Sequence, residues 1–271
     1  MSENGLTRER VEDLLFQAGY WTVLALMLLP IAVVFVTSFQ QADLLQFPPK
    51  GFSTKWYAQF FSSPRWLGAV VDSLVIGVGA SAVSTVLGVA GSLAVNQSDS
   101  RLADVLVPIV LLPLLIPPVV LGLTFLIYFE TIGIGSDYVQ VILAHALWAT
   151  PLAFFIMQSV FSRFDWNLRD AGMDLGARPH QTFYHVVLPN VKHGVIISAL
   201  VTFIISLQEF IMALYLTGFG TRTIPVLAWN QLTQSLTPMV SVVSTFLILA
   251  SVLAVLVSTA LMNMEWLADQ L

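Results

Sequence analysis

Apolar residues run along this chain in long blocks with no alternation of polar and apolar positions, and short polar segments separate the blocks. Six blocks stand out: Leu14 to Phe39, Trp66 to Val95, Leu102 to Phe129, Tyr138 to Phe161, Val191 to Leu216 and Met239 to Met262. An α-helix needs about 20 apolar residues to cross the hydrocarbon core of a bilayer, and each block is long enough. Lipid requires backbone polar groups to be satisfied inside a helix or a closed barrel, and unalternating runs favour helices. The pattern therefore predicts an all-α membrane protein of about six transmembrane helices.

Three polar segments complete this division. Residues 1–13 form an N-terminal segment ahead of a transmembrane domain over 14–271, and the first apolar block exceeds the core of a signal peptide, which predicts an uncleaved first helix. A loop over 40–65 follows the first span, and a polar loop over 162–190 separates the fourth and fifth. Arg8, Arg10, Arg101, Arg163, Arg169, Arg178 and Lys192 fall on one side of the membrane, against Lys50, Lys55, Arg65 and Arg222 on the other. This bias of Lys and Arg predicts that both termini are cytoplasmic.

Composition agrees with the pattern. The chain is 57% hydrophobic and 10% charged, whereas soluble domains are about 25% charged. With no cysteine, disulfides, thiolate metal sites and cysteine nucleophiles are excluded. A net charge of -5 without a basic cluster gives no basis for nucleic-acid binding. The chain contains no G-x-x-x-x-G-K-[ST] phosphate loop, no H-E-x-x-H and no G-x-S-x-G, so any ATP-driven work must draw on another polypeptide. No cofactor or metal is expected in this chain.

Within the spans, local chemistry marks a candidate pathway. Pro108, Pro113 and the pair Pro117-Pro118 predict a kinked or locally broken third span, either lining a pathway or only shaping packing. Ala80, Ser84 and Gly88, with Gly77 and Gly91 nearby, form a small-residue stripe on the second span that lets helices approach closely. Gln208-Glu209 interrupts the fifth span, and a continuous helix would put Thr202, Ser206, Glu209 and Ala213 on one face. Glu209 then either balances a cationic substrate in transit or is a hydrogen-bonded member of a helix interface. Tyr128, Trp148, Tyr215 and Trp229 supply either cation-π contacts or interfacial and packing rings. His145 in the fourth span is either a lone base or a packing residue, while His180 and His185 are read as solvated.

The loop over 162–190 carries the most specific signal. Helix-forming stretches at Leu168 to Ala177 and Gln181 to Val187 are separated at Arg178-Pro179, predicting a helical hairpin-like knob. Asp170-Ala171-Gly172, Gly176-Ala177, Val186 and Leu188-Pro189 match the spacing of the EAA loop, and the chain resembles the type I ABC importer permeases. Asp170, Gly172 and Val186 depart mildly from that pattern. Small residues allow a close partner contact and Asp170 offers a carboxylate to a partner's cations.

Phe47-Pro48-Pro49, Gly51-Phe52-Ser53, Trp56-Tyr57, Thr217-Gly218 and Thr223-Ile224-Pro225 are similar to segments of permeases in the spermidine/putrescine group, nearest to the second permease type. The resemblance implies a type I permease fold in a bacterial or archaeal plasma membrane, with Asp170 to Pro189 as a coupling helix. It implies two ATPase subunits that hold ATP and Mg, a second and different permease, and an external substrate-binding protein. Glu209, Gln208, Ser206, Tyr128, Trp148, Pro117 and Pro118 would line the substrate path. A polyamine is the implied cargo, with thiamine, ferric iron and amino-acid-like compounds as alternatives. An intramembrane enzyme and an ion-coupled transporter are the rival classes.

Overall fold

The computed structural model describes residues 3–98, 100–218 and 220–268, so residues 1–2 and 269–271 of the expected segments lie outside the described chain. Its helices are α1 (Glu3–Ser38), α2 (Lys55–Ser62), α3 (Pro64–Gln97), α4 (Ser100–Leu115), α5 (Pro118–Ile132) and α6 (Asp137–Phe161). They continue with α7 (Asn167–Asp174), α8 (Pro179–Thr182), a π-helical turn (Phe183–Val187), α9 (Leu188–Gln208), α10 (Ile211–Leu216), α11 (Ile224–Gln234) and α12 (Met239–Ala268). Among the described residues, five stretches are long and apolar enough to span a bilayer: Asp13–Ser38, Pro64–Gln97, Asp137–Phe161, Pro179–Gln208 and Met239–Val257. The bent pair Ala103–Leu115 and Pro118–Ile132 makes the sixth.

That third span is broken, as its prolines predict. Pro117 is extended at ψ 135° and Pro118 opens α5 with no N–H to donate, so the two halves meet at 97°. The fifth span departs from expectation. Its helix starts earlier, at Pro179, so the stretch Gln181 to Val187 is the beginning of the span and not a separate helix. It also ends earlier, at Gln208, because Glu209 turns extended at ψ 127° before α10 begins. A single continuous helix from Val191 to Leu216 is therefore corrected to two helices with a break at Glu209-Phe210.

The chain divides into two compact units. One contains α1, α2 and Asn230–Phe246. Here the loop after α1 folds back on itself: Gln41 N donates to Gly51 O at 3.1 Å and Ser53 N to Phe39 O at 2.6 Å. Gly51 adopts φ +82°, a turn conformation that glycine reaches without Cβ strain. The Tyr57 and Ser38 hydroxyls lie 2.7 Å apart, Thr37 donates to Ser241 at 3.0 Å, and the rings of Phe60 and Phe246 pack 5.4 Å apart. The Phe47-Pro48 peptide is cis.

The other unit runs from Pro64 to Trp229 and resumes at Leu247. Its centre is the packing of α3 on α6 and α9. The small-residue stripe makes this possible: Ala80 and Ser84 are fully buried, and a Cβ on Gly88 would sit 2.5 Å from Ala153 Cβ. Facing it on α6 are buried Ala146, Ala149 and Ala153. Polar side chains join the same helices. Ser81 Oγ donates to Ala199 O at 2.6 Å, while Ser92 and Asn96 both donate to Gln158 Oε1, at 3.0 and 2.8 Å.

Candidate functional site

Between α6 and α9 the polar loop forms a knob. Asp165 Oδ1 accepts from Asn167 N at 3.1 Å and starts α7. The helix ends in a Schellman arrangement: Gly176 N donates to Met173 O at 2.9 Å and Ala177 N to Gly172 O at 3.2 Å, with Gly176 at φ +91°. Next, Pro179 opens α8 and Gln181 Oε1 accepts from Arg178 N at 2.8 Å, so the break falls at Arg178-Pro179 as the sequence predicts. Pro189 carries no N–H, and the π turn just before it, closed by Leu188 N donating to Phe183 O, accommodates the lost bond.

The glycines of this loop have different reasons from the partner contact expected of them. A Cβ on Gly176 would meet nothing within 4 Å, so its positive φ is what demands glycine. A Cβ on Gly172 would lie 3.1 Å from Thr182 Cγ2, so that position serves the contact of α7 with α8. What α7 does present outward is Asp170 and Ala171, together with two side chains that sequence reasoning missed: Leu168, 47% exposed, and Leu175, 89% exposed. Leu168, Ala171 and Leu175 are three and four residues apart, hence on one side of the helix and its last turn. The signal was visible in the sequence as an apolar spacing within a polar segment.

The knob is fastened to the spans by a buried cluster. Met157 and Phe161 of α6 pack with Val187 and Val191, and Phe164, Trp166 and Phe183 close over them. Trp166 lies 5.8 Å from Phe161 and edge-on to Phe164 at 5.0 Å. Interiors packed in this way transmit displacement with little compression. Leu188, half-buried, and Pro189, exposed, follow the π turn at the start of α9.

Glu209 occupies the break between α9 and α10. Its carboxylate accepts from the N–H groups of Ile211 (2.9 Å), Met212 (3.0 and 3.1 Å) and Ala213 (3.2 Å), capping the helix that follows. His145 Nε2 lies 3.0 Å from Glu209 Oε2, close enough for an ion pair though not aligned as a hydrogen bond, and His145 Nδ1 lies 2.8 Å from Ser206 Oγ. All three residues are buried. These contacts fit the second of the two readings given for each residue, Glu209 as a hydrogen-bonded member of a helix interface and His145 as a packing residue. Each group is held by a neighbour, and Ser206 is only 4% exposed.

Other expected pathway residues separate. Gln208, next to buried Glu209, is exposed and its Nε2 lies 3.3 Å from Ser251 Oγ. Tyr128 is 54% exposed beside Phe129, whereas Trp148 packs against the core that includes Leu121, Met212 and Leu216. Trp229 packs on Phe210 at 5.2 Å. Pro117 and Pro118 mark the 97° break. The helices following the two breaks, α5 and α10, meet closely, since a Cβ on Gly122 would come within 3.2 Å of Met212 Cα.

Two aspartates passed over by sequence reasoning pin the loop after α10. Asp72 accepts from Tyr138 Oη at 2.6 Å and from Arg222 N at 2.9 Å, while Asp137 accepts from Gly218 N at 2.9 Å. Ser73 Oγ accepts from Ile224 N at 2.8 Å. The Thr217-Gly218 and Thr223-Ile224-Pro225 segments are thus structural fixtures of this end of the bundle.

Residues 84–264 match the family described as binding-protein-dependent transport system inner membrane component. The putrescine transport system permease protein PotI of Escherichia coli K12 is 26% identical over 241 residues, covering 84% of this chain and 85% of that one. The spermidine/putrescine transport system permease protein PotC of Haemophilus influenzae is 25% identical over 244 residues, covering 89% and 93%. A bacterial ABC transporter involved in the import of alginate superposes with a TM-score of 0.68 at 16% identity, over 97% of this chain and 98% of that one. The chain accordingly belongs to the binding-protein-dependent transport system inner membrane component family, and is a multi-pass inner-membrane permease subunit of an ABC importer, a transport subunit and not an enzyme, that works with ATPase partners and a substrate-binding protein.

Proposed function

We propose that the exposed side of α7 is the surface through which the ATPase partner moves this permease, and that the cargo is a polyamine or a similar small organic cation. One observation carries the coupling reading: Leu168, Ala171 and Leu175 lie open along one side of a short helix whose Gly172 packs close to Thr182 and Val186 at the start of the fifth span. Exposed apolar side chains in a row beside a carboxylate, Asp170, suit a protein partner with an apolar cleft and cationic rim. The cargo reading is supported by relatives named for putrescine and spermidine/putrescine, each over more than four-fifths of both chains.

In this scheme both termini and the knob are cytoplasmic. Two ATPase subunits hold ATP and Mg, and a second, different permease completes the path. Closure of the ATPases on ATP pushes on the 167–189 knob, and the buried cluster around Phe161 and Val187 carries that push into α6 and α9. The path between the permeases then opens outward to receive cargo from the external binding protein. Gln208 and Tyr128, exposed at the break and on α5, line that path.

Leu175→Glu tests the coupling reading, because a side chain already in water leaves the fold unaffected. Loss of an interface anchor costs about 2 kcal/mol, or roughly thirtyfold in association. In proteoliposomes the variant transporter is expected to lose the ATPase subunit and uptake together; undiminished uptake would refute the assignment. Labelled putrescine uptake that spermidine displaces and a neutral sugar does not checks the cargo.

A further inference from the structure

Two adjoining cavities lie against the knob end of the bundle. The first, about 370 Å³, has apolar walls from α3 and α9, among them Val86, Val89, Leu93 and Val195. The second, also about 370 Å³, shares Leu93, Phe183 and Tyr184 with the first and brings in Gln97, Arg169 and His180. Together they make one groove, greasy at one end and carrying a guanidinium and an imidazole at the other. The shared wall is the π turn, a rare backbone form that recurs at functional sites.

The dimensions suit a single leaflet. From Val86 to Gln97 is eleven residues of helix, about 16 Å at 1.5 Å each, and half of a hydrocarbon core is about 15 Å. A groove of that length matches one leaflet, its apolar part suited to an acyl chain and its charged part to a headgroup. Arg169 is half-buried at the mouth, whereas Asp170 on the same helix is exposed and does not line the groove. Guanidinium is suited to phosphate because its planar N–H fork matches two phosphate oxygens.

We propose that this groove holds one anionic phospholipid, its phosphate on Arg169 and His180 and one acyl chain along Val86, Val89 and Leu93. Basic pockets between spans are recognised sites for acidic headgroups. The site is separate from the solvent-facing Leu168, Ala171 and Leu175 of α7, and the proposal stands whatever the cargo is. A lipid wedged at the π turn would tie the knob to its own leaflet.

The test is native mass spectrometry of the transporter, purified with its partner subunits from nanodiscs containing phosphatidylglycerol or phosphatidylcholine of identical chains. Phosphatidylglycerol is expected to stay bound in preference. Arg169→Gln should lower that retention by about fivefold, the worth of one cation near a lipid surface. His180→Gln, beyond Pro179, lowers it without touching α7. Leu93→Trp, which fills the apolar half, expels either lipid. Equal retention of both lipids, or retention unchanged in all three variants, overturns the proposal. So does displacement by inorganic phosphate alone, which would mean a phosphate site without a lipid, or cross-linking of Tyr184 to another subunit with no lipid retained.

Discussion

Glu209 shows how a single side chain in a membrane protein is fixed by what surrounds it. Three backbone N–H groups and the His145 ring occupy its carboxylate, so the acid that interrupts the fifth span ends one helix and caps the next. Removing one of two buried polar groups that hold each other costs about 1–3 kcal/mol, since the group left behind keeps its desolvation penalty. Glu209→Gln and His145→Gln are each expected to lower the unfolding temperature of the purified permease, and the double variant to cost less than the sum of the two. Import should fall in proportion to folded protein. Normal folding with selective loss of cation import would instead return Glu209 to the substrate path. At Gly176 the demand is conformational: φ +91° puts a strain of about 1–2 kcal/mol on any L side chain. Gly176→Asn should therefore be tolerated better than Gly176→Val, as read by yield and thermal stability, because asparagine visits that region and β-branched residues do not.

Among the elements, the α3–α6 contact is the tightest constraint. A Cβ on Gly88 would approach the Ala153 backbone carbonyl carbon at 2.7 Å, with nothing flexible to yield. Gly88→Ala is expected to force the two helices apart at a cost of about 1–3 kcal/mol, seen as lower thermal stability in detergent, whereas Gly19→Ala, with open space around its position inside α1, should not lower it. The two broken spans are the other feature at this level. The proline break at Pro117-Pro118 could be read from the chain because proline removes its donor wherever it sits. By contrast, the break at Glu209 could not, because Ser206, Gln208 and Glu209 have no intrinsic quarrel with a helix, and only the capping of α10 and the pairing with His145 make the interruption favourable.

For the whole molecule, the proposed mechanism needs a stiff connection from the knob to the spans. Phe161, Trp166, Val187 and Val191 supply it. Trp166→Ala, which truncates a half-buried ring, should loosen that connection at a cost of about 1–3 kcal/mol. The expected outcome is ATP hydrolysis that persists with reduced uptake per ATP, measured in proteoliposomes; an unchanged ratio would show that movement passes elsewhere.

The six apolar blocks, the proline break, the small-residue stripe and the Arg178-Pro179 division could all be read from the residues in order. Each follows from a rule local to a segment: apolar length against bilayer thickness, a missing donor, a missing Cβ. Fold class and the spacing of the 162–190 loop were legible for the same reason. The partners of Glu209, the face of α7 left open, the true reason for Gly172 and Gly176, and the anchoring of the loop after α10 by Asp72 and Asp137 were decided only by the tertiary structure. They depend on donors and surfaces that lie from a few residues to more than a hundred away along the chain, and no local pattern states which of these come within 3 Å.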